Sequence, residues 1–174
     1  MTAKIVNIIG KAKERVATLP AGTYWIGDPC YFVPDELWME YLEANNGVDQ
    51  ERMAFDIDGL TVQLSDGRHV ASHYTAWGHS VTASAFNDPY GCYLGSDGFE
   101  YGVDAGMLGA VQVLDSDIDQ GNTRLGTKVT FDRPFTVSRD GGTVIIGSIR
   151  IETDGDWNDD YGWDNDYDGE DDDE

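Results

Sequence analysis

Positive charge is scarce in this sequence. It contains 11 Lys and Arg against 33 Asp and Glu, which gives a formal net charge of −22 at pH 7. All 11 basic residues precede position 154 and twelve acids follow position 153, so residues 154–174 carry −12 and the rest carries −10. Because proteins bind nucleic-acid phosphates and anionic membranes through Lys and Arg, we expect no direct binding to either. The composition predicts a basic protein partner, with cations or neutral ligands as alternatives.

Cysteine and long apolar runs are scarce as well. The two cysteines, Cys30 and Cys92, are too few for a disulfide scaffold, and we expect free thiols in a reducing cytosol. No window approaches the roughly 18 apolar residues of a membrane span. The N-terminal stretch matches no signal peptide, because basic residues follow its short apolar run. These features predict a cytoplasmic protein that is not secreted.

Glycine is abundant, and its distribution predicts the fold class. The 21 glycines separate many short apolar stretches, which is typical of strands joined by tight turns. We predict hairpin turns at Asp58-Gly59, Asp66-Gly67 and Gly141-Gly142, and a strand pair formed by FEYGVDAG and MLGAVQVLD. The expected fold is mainly β (α+β), an antiparallel β-sandwich or barrel-like sheet.

One clear helix is predicted over about residues 34–46, with Pro34 at its start and Asn46-Gly47 at its end. A second, weaker helical pattern covers the N-terminal segment. The final residues have no aliphatic side chain with which to build a core, so we expect them to be disordered. The predicted organisation is an N-terminal segment at 1–18, a β-rich domain at 19–153 and an acidic aromatic tail at 154–174.

Two aspartates in glycine-rich turns are candidates for chemistry. Asp28 and Cys30 directly follow a predicted strand, as a thiol nucleophile site requires, but a reactive thiol needs a base or a positive field. A rigid turn, in which Asp28 bonds its own backbone, is the favoured interpretation. Asp104 lies among three glycines. If it faced Asp28, the two carboxylates could perform acid–base chemistry or hold a cation, whereas a turn-capping Asp is the simpler interpretation.

Metal ligands are a weaker prediction. His69, His73 and His79 share one face of an extended strand, where His69 and His73 would lie roughly 14 Å apart, too far for one zinc ion. The stretch DSDIDQGNTRLG resembles a calcium loop through Asp115, Asp117 and Asp119, but its glycine is displaced and the closing glutamate is missing. We expect no cofactor, and at most weak binding of calcium or another divalent cation.

The tail, DGDWNDDYGWDNDYDGEDDDE, combines acids with regularly spaced aromatics. Solvated disorder explains the charge but not the rings. Negative charge and flat rings together imitate the phosphates and bases that a single-strand-binding groove recognises. We therefore predict that the tail binds a partner through these residues: Trp157, Asp159, Asp160, Tyr161, Trp163, Asp164, Asp166 and Tyr167.

Part of the chain resembles a known group of proteins. The order LPAGTYWIGDPCYF, a short helix, YTAWG and FEYGVDAGMLGAV, over about positions 19–114, resembles a group of small uncharacterised proteins from bacteriophages and bacteria. Members carry a Gly-Asp-Pro-Cys-Tyr stretch and a later Val-Asp-(Ala/Ser)-Gly stretch. The resemblance implies a phage or mobile-element origin, a β-rich fold and no particular reaction. It also implies one focus formed by Asp28, Cys30, Tyr31, Asp104 and Gly106.

Three functional hypotheses follow. The first is a non-enzymatic, phage-type interaction protein that binds a basic host protein of nucleic-acid metabolism or defence by acidic mimicry. The second is an enzyme or small-ligand binder with a pocket formed by Asp28, Cys30, Tyr31, Trp77, Asp104 and Gly106. The third is a divalent-cation-binding structural protein of the virion.

Overall fold

The computed structural model describes residues 3–7, 15–45, 59–75, 92–117 and 124–153. These residues form one α-helix and twelve strands. The helix is α1 (Asp35–Leu42). The strands are β1 (Lys4–Asn7), β2 (Ala17–Leu19), β3 (Gly22–Gly27), β4 (Thr61–Gln63), β5 (His69–Tyr74), β6 (Cys92–Leu94), β7 (Glu100–Gly102), β8 (Met107–Gln112), β9 (Gly126–Phe131), β10 (Phe135–Asp140), β11 (Thr143–Ile146) and β12 (Ile149–Glu152).

The strands form two main sheets and a small hairpin. One sheet has the order β1-β4-β5-β8-β3-β9, a second has the order β12-β11-β10-β2, and β6 pairs with β7. Every pairing in these sheets is antiparallel. The expected mainly β, antiparallel sandwich with one helix is therefore confirmed, and the sheets do not close into a barrel.

Alternation along the central strands creates three layers. In β3, Tyr24 and Ile26 point into a core shared with the four-stranded sheet, whereas Trp25 points into a second core beneath α1. In β8, Leu108 and Met107 divide between the two cores in the same way. Because successive side chains of a strand face opposite sides, a sheet that is covered on both faces is apolar along almost its whole length.

Helix α1 packs on the outer face of the six-stranded sheet. Its Tyr41 is fully buried and its hydroxyl lies 2.6 Å from Oγ of Ser72 on β5. Glu40 accepts hydrogen bonds from the backbone N and Oγ of Ser65, at 2.6 and 2.7 Å. The predicted helix is confirmed, although Pro34 is its N-cap and residues Glu43–Asn45 continue it as a 3₁₀ turn.

Two hairpin turns are confirmed, and one helix prediction and two strand predictions are corrected. Gly67 (φ 97°) and Gly141 (φ 58°) occupy the predicted turns with positive φ, where glycine carries no steric penalty. The weak N-terminal helix is wrong where the structure describes the segment, because β1 and β2 are strands there. FEYGVDAG and MLGAVQVLD do not pair: β7 joins β6, whereas β8 lies between β3 and β5.

The last correction concerns GTVIIGSIRIE, predicted as one strand. Gly147 (φ 59°) divides it into β11 and β12, which pair with each other. The strand predicted before the Asp58-Gly59 turn lies outside the described residues. Among the residues that the structure describes, no helix is long and apolar enough to cross a membrane.

Candidate functional site

Asp28 follows directly from the end of β3 and is fully buried. Its Oδ1 accepts a hydrogen bond from the backbone N–H of Cys30 at 3.0 Å, so the side chain caps the 3₁₀ turn Pro29–Tyr31. Pro29 holds the first position of this turn, where a backbone N–H would lack a partner. The prediction that Asp28 bonds its own local backbone is confirmed.

The second oxygen of Asp28 binds a distant loop. Oδ2 accepts hydrogen bonds from the backbone N–H groups of Asp104 and Ala105, at 2.8 and 2.7 Å. The loop then passes through Gly106 (φ 74°), whose carbonyl accepts a hydrogen bond from the N–H of Thr75 at 2.8 Å. The buried carboxylate thus joins the end of β3 to the loop before β8, and the hydrogen bond between Thr75 and Gly106 joins the end of β5 to the same loop. We call Asp28, Cys30, Asp104, Ala105 and Gly106 the Asp28 junction.

The electrostatics of the junction oppose thiol activation. Burial raises the pKa of the Cys30 thiol, and the Asp28 carboxylate adds to the rise. Burial also raises the pKa of Asp28, while the N–H groups of Cys30, Asp104 and Ala105 act against that rise because they favour the charged carboxylate. A nucleophilic cysteine needs the opposite shift. The contacts of these residues therefore support a structural junction and give no support to thiol catalysis.

The other predicted pocket residues lie at different depths. The side chain of Asp104 is exposed, and only its backbone N–H binds Asp28. The Asp28 carboxylate therefore binds the backbone N–H of Asp104 and not the Asp104 carboxylate, so the contact is not an acid–base pair. Tyr31 is half-buried and its ring lies edge-on to Phe32, with centroids 6.3 Å apart. Trp77 lies outside the described residues.

Two of the predicted histidine ligands, His69 and His73, lie on β5 and have different surroundings. His69 is half-buried and its Nδ1 lies 3.0 Å from Oε1 of Gln112. His73 is fully buried in the sandwich. His79 lies outside the described residues. Within the part of the chain that the structure describes, no group of three His, Cys, Asp or Glu side chains is placed to hold a metal ion.

Of the predicted calcium ligands, the structure describes Asp115 and Asp117. The carboxylate of Asp117 binds groups of the protein itself. Asp117 Oδ2 accepts a hydrogen bond from the N–H of Leu114 at 2.7 Å, and its two oxygens accept from Arg68 at 2.8 and 3.2 Å. Asp115 is exposed, and Asp119 lies outside the described residues. Calcium binding stays a prediction, with one of its proposed ligands held in a structural role.

Arg68 is the centre of a cluster that the sequence did not reveal. Its guanidinium is buried and donates to Asp66 at 2.7 Å, to both oxygens of Asp117, and to the carbonyl of Gln112 at 3.3 Å. Burial alone would lower the pKa of Arg68, but the two carboxylates raise it. Asp66, Arg68 and Asp117 are here called the Arg68 cluster. The turn motif Ser-Asp-Gly-Arg indicates the first pair, whereas nothing local indicates Asp117.

The predicted partner-binding residues all belong to the tail, which lies outside the described residues. The chain enters the tail from Thr153, whose side chain is buried and whose N–H donates to the carbonyl of Gly142 at 2.9 Å.

Comparisons of the whole chain with protein-family models, curated proteins and solved structures found no match.

Proposed function

We propose that this chain is an acidic interaction protein that binds a basic protein partner. The observation that carries the proposal is the charge of the described surface. Among all the residues that the structure describes, eleven acidic residues are exposed against five basic ones, and among the described residues between 3 and 117 the counts are eight against one, Lys4. The eight acids are Asp35, Glu36, Glu43, Asp66, Asp97, Glu100, Asp104 and Asp115, of which Asp66 is paired with Arg68.

Burial of the other described cations in this region sharpens the asymmetry. Arg15 and Arg68 are only 8% and 5% exposed, and Arg68 is engaged by two carboxylates. Neither arginine therefore offers an exposed cation to a partner, and the charge of Arg68 is compensated by Asp66 and Asp117. Such a surface repels phosphates and attracts cationic surfaces, and complementary charge mainly accelerates association and selects the partner.

The tail gives the interaction a more specific form. It adds twelve acids and four aromatic side chains to an already acidic domain. We propose that it enters a basic, aromatic-lined groove of a nucleic-acid-processing or defence protein of the host, with carboxylates in place of phosphates and rings in place of bases. The protein would then modulate or inhibit that partner from the cytoplasm, as suits the phage origin implied by the resemblance.

Two full-length variants separate charge from stacking. One replaces the tail rings with alanine: Trp157→Ala, Tyr161→Ala, Trp163→Ala and Tyr167→Ala. The other removes four charges and keeps the rings: Asp159→Asn, Asp160→Asn, Asp164→Asn and Asp166→Asn. Capture of basic proteins from a bacterial lysate, quantified by mass spectrometry, should fall for both variants and fall further as salt is raised.

A mimic should also compete with the ligand that it imitates. Single-stranded DNA, added to the captured complex, should displace the partner from the native chain. Capture that is insensitive to salt, to both variants and to DNA would reject the proposal.

A further inference from the structure

The outer edge of β9 is a candidate binding surface. β9 is the last strand of the six-stranded sheet, and none of the described strands pairs with its outer edge. Lys128 and Thr130 are exposed on the helix side of β9, whereas Val129 and Phe131 are half-buried on the sandwich side. An edge strand presents backbone N–H and C=O groups that a further extended segment can pair with.

Three basic residues lie on or beside β9, next to the exposed acid Asp132, and two more lie on strands of the four-stranded sheet. Residues 124–153 contain five basic side chains and three acidic ones, a net +2, whereas residues 1–123 carry −12. Arg124 and Arg133 flank β9, and Lys128 lies in the middle of the strand with its ammonium 5.1 Å from the Trp25 ring centroid. A lysine on an edge discourages pairing with most strands, but it favours an acidic one.

The tail contains a segment with the matching pattern. In an extended chain, alternate residues face opposite sides. From 157 to 168 all four aromatic residues fall on odd positions, at Trp157, Tyr161, Trp163 and Tyr167. The even positions hold Asn158, Asp160, Gly162, Asp164, Asp166 and Asp168. The odd positions also hold Asp159 and Asn165. Residues 157–168, if extended, would therefore present one mainly aromatic face and one mainly acidic face.

The tail also starts at the end of the sandwich at which β9 begins. The turn between β11 and β12 packs on β9 at its last residue, where a Cβ on Gly147 would lie 2.7 Å from the Phe131 ring. β12 leads to Thr153, whose N–H donates to the carbonyl of Gly142 after β10. Arg139 of β10 donates to the carbonyl of Tyr74 at the end of β5, which is the end of the six-stranded sheet at which β9 begins. The four residue steps from Thr153 to Trp157 span at most about 14 Å, and packed sheets lie about 10 Å apart.

We propose that residues within 157–168 of the tail pair with the edge of the six-residue strand β9 as a further strand, which would run parallel to β9 because the tail enters at the end where β9 begins. The acidic face would lie beside Lys128, and the aromatic face would extend the apolar surface of Val129 and Phe131. The tail would then have two alternative binding sites, this edge and an outside partner. The inference does not rest on the proposed function, because both members of this contact belong to one chain.

Hydrogen exchange of the full-length protein tests the proposal with a variant of unchanged composition. Asp160→Tyr, Tyr161→Asp, Trp163→Asp and Asp164→Trp together preserve charge and ring number but mix the two faces. Amides of residues 126–131 should exchange about tenfold faster in this shuffled variant than in the native chain. Lys128→Glu should produce the same change, and Lys4→Glu, on the opposite edge strand β1, should not. Unchanged exchange in β3 and β8 shows that each variant is folded.

Three results would overturn the proposal. One is equal exchange of residues 126–131 in the native and shuffled chains. Another is an equal effect of Lys4→Glu and Lys128→Glu, which would show that the exchange rates respond to net charge and not to a contact at the edge of β9. The third is protection that rises with protein concentration, which assigns the edge to a second copy. Because the shuffled variant keeps all charges and rings, it should still capture a basic partner, so this inference and the proposed function can fail separately.

Discussion

The Asp28 junction and the Arg68 cluster each stabilise one buried charged group and the loops around it, but in two different ways. At the junction, one fully buried carboxylate accepts three backbone N–H groups, and its described hydrogen bonds include no cation. In the cluster, the buried group is the cation: the Arg68 guanidinium binds two carboxylates whose side chains are 29% and 26% exposed. The junction therefore depends on backbone geometry, whereas the cluster depends on compensation of charge.

Removing the junction carboxylate should cause the largest loss of stability. Asp28→Ala leaves the N–H groups of Cys30, Asp104 and Ala105 without their acceptor in a buried site. An unsatisfied buried group costs about 1–3 kcal/mol, so we expect the free energy of unfolding to fall by about 3–5 kcal/mol. Urea denaturation followed by far-UV circular dichroism measures the change.

Asp104→Ala is the matched control, because it keeps the backbone N–H and removes only an exposed side chain. Its loss should stay below about 0.5 kcal/mol. Similar losses for both variants would contradict the assignment of the junction to the backbone of Asp104. Loss of function in both, with stability preserved, would instead revive the pocket hypothesis.

Removing the guanidinium should have a smaller effect. Arg68→Met retains much of the buried stem but leaves Asp66 and Asp117 without their partner. Because both carboxylates are about one quarter exposed, water replaces part of the lost interaction, and we expect a loss of about 2 kcal/mol. Arg68→Lys keeps the charge without the paired geometry, so its free energy of unfolding should lie between those of the native protein and Arg68→Met. Urea denaturation that ranks Arg68→Met with Asp28→Ala would remove the distinction between the two regions.

The same contrast explains what the sequence could predict. The Asp28 turn was predictable, because Asp-Pro after a strand has a local cause: the side chain accepts an N–H two residues away. Its partner loop was a hypothesis, raised by the glycine-rich stretch around Asp104 and by the resemblance, because the N–H groups that reach Asp28 lie 76 and 77 residues further on and leave no local signal. The pairing of Arg68 with Asp117, 49 residues apart, left no local signal.

The sequence likewise predicted which residues form strands better than which strands lie next to each other in a sheet. Local alternation and glycine turns predicted most strands, but β8 was paired with the wrong neighbour. The loop at Asp104–Gly106 looks like a hairpin turn in the sequence. It is instead held by Asp28 and by Thr75, and this directs β8 between β3 and β5.

The reactivity of Cys30 is the smallest and most local test of the contrast. Burial raises the pKa of this thiol, and the neighbouring Asp28 carboxylate, whose described hydrogen bonds include no cation, adds to the rise. In a Cys92→Ser background, alkylation of the folded protein at pH 7.5 should be at least about tenfold slower than in urea, because only the thiolate reacts. The rate should continue to rise with pH beyond the ordinary thiol pKa of about 8.5. A rate that levels off at or below that pH would show that the junction field activates the thiol, and would restore the nucleophile hypothesis for Cys30.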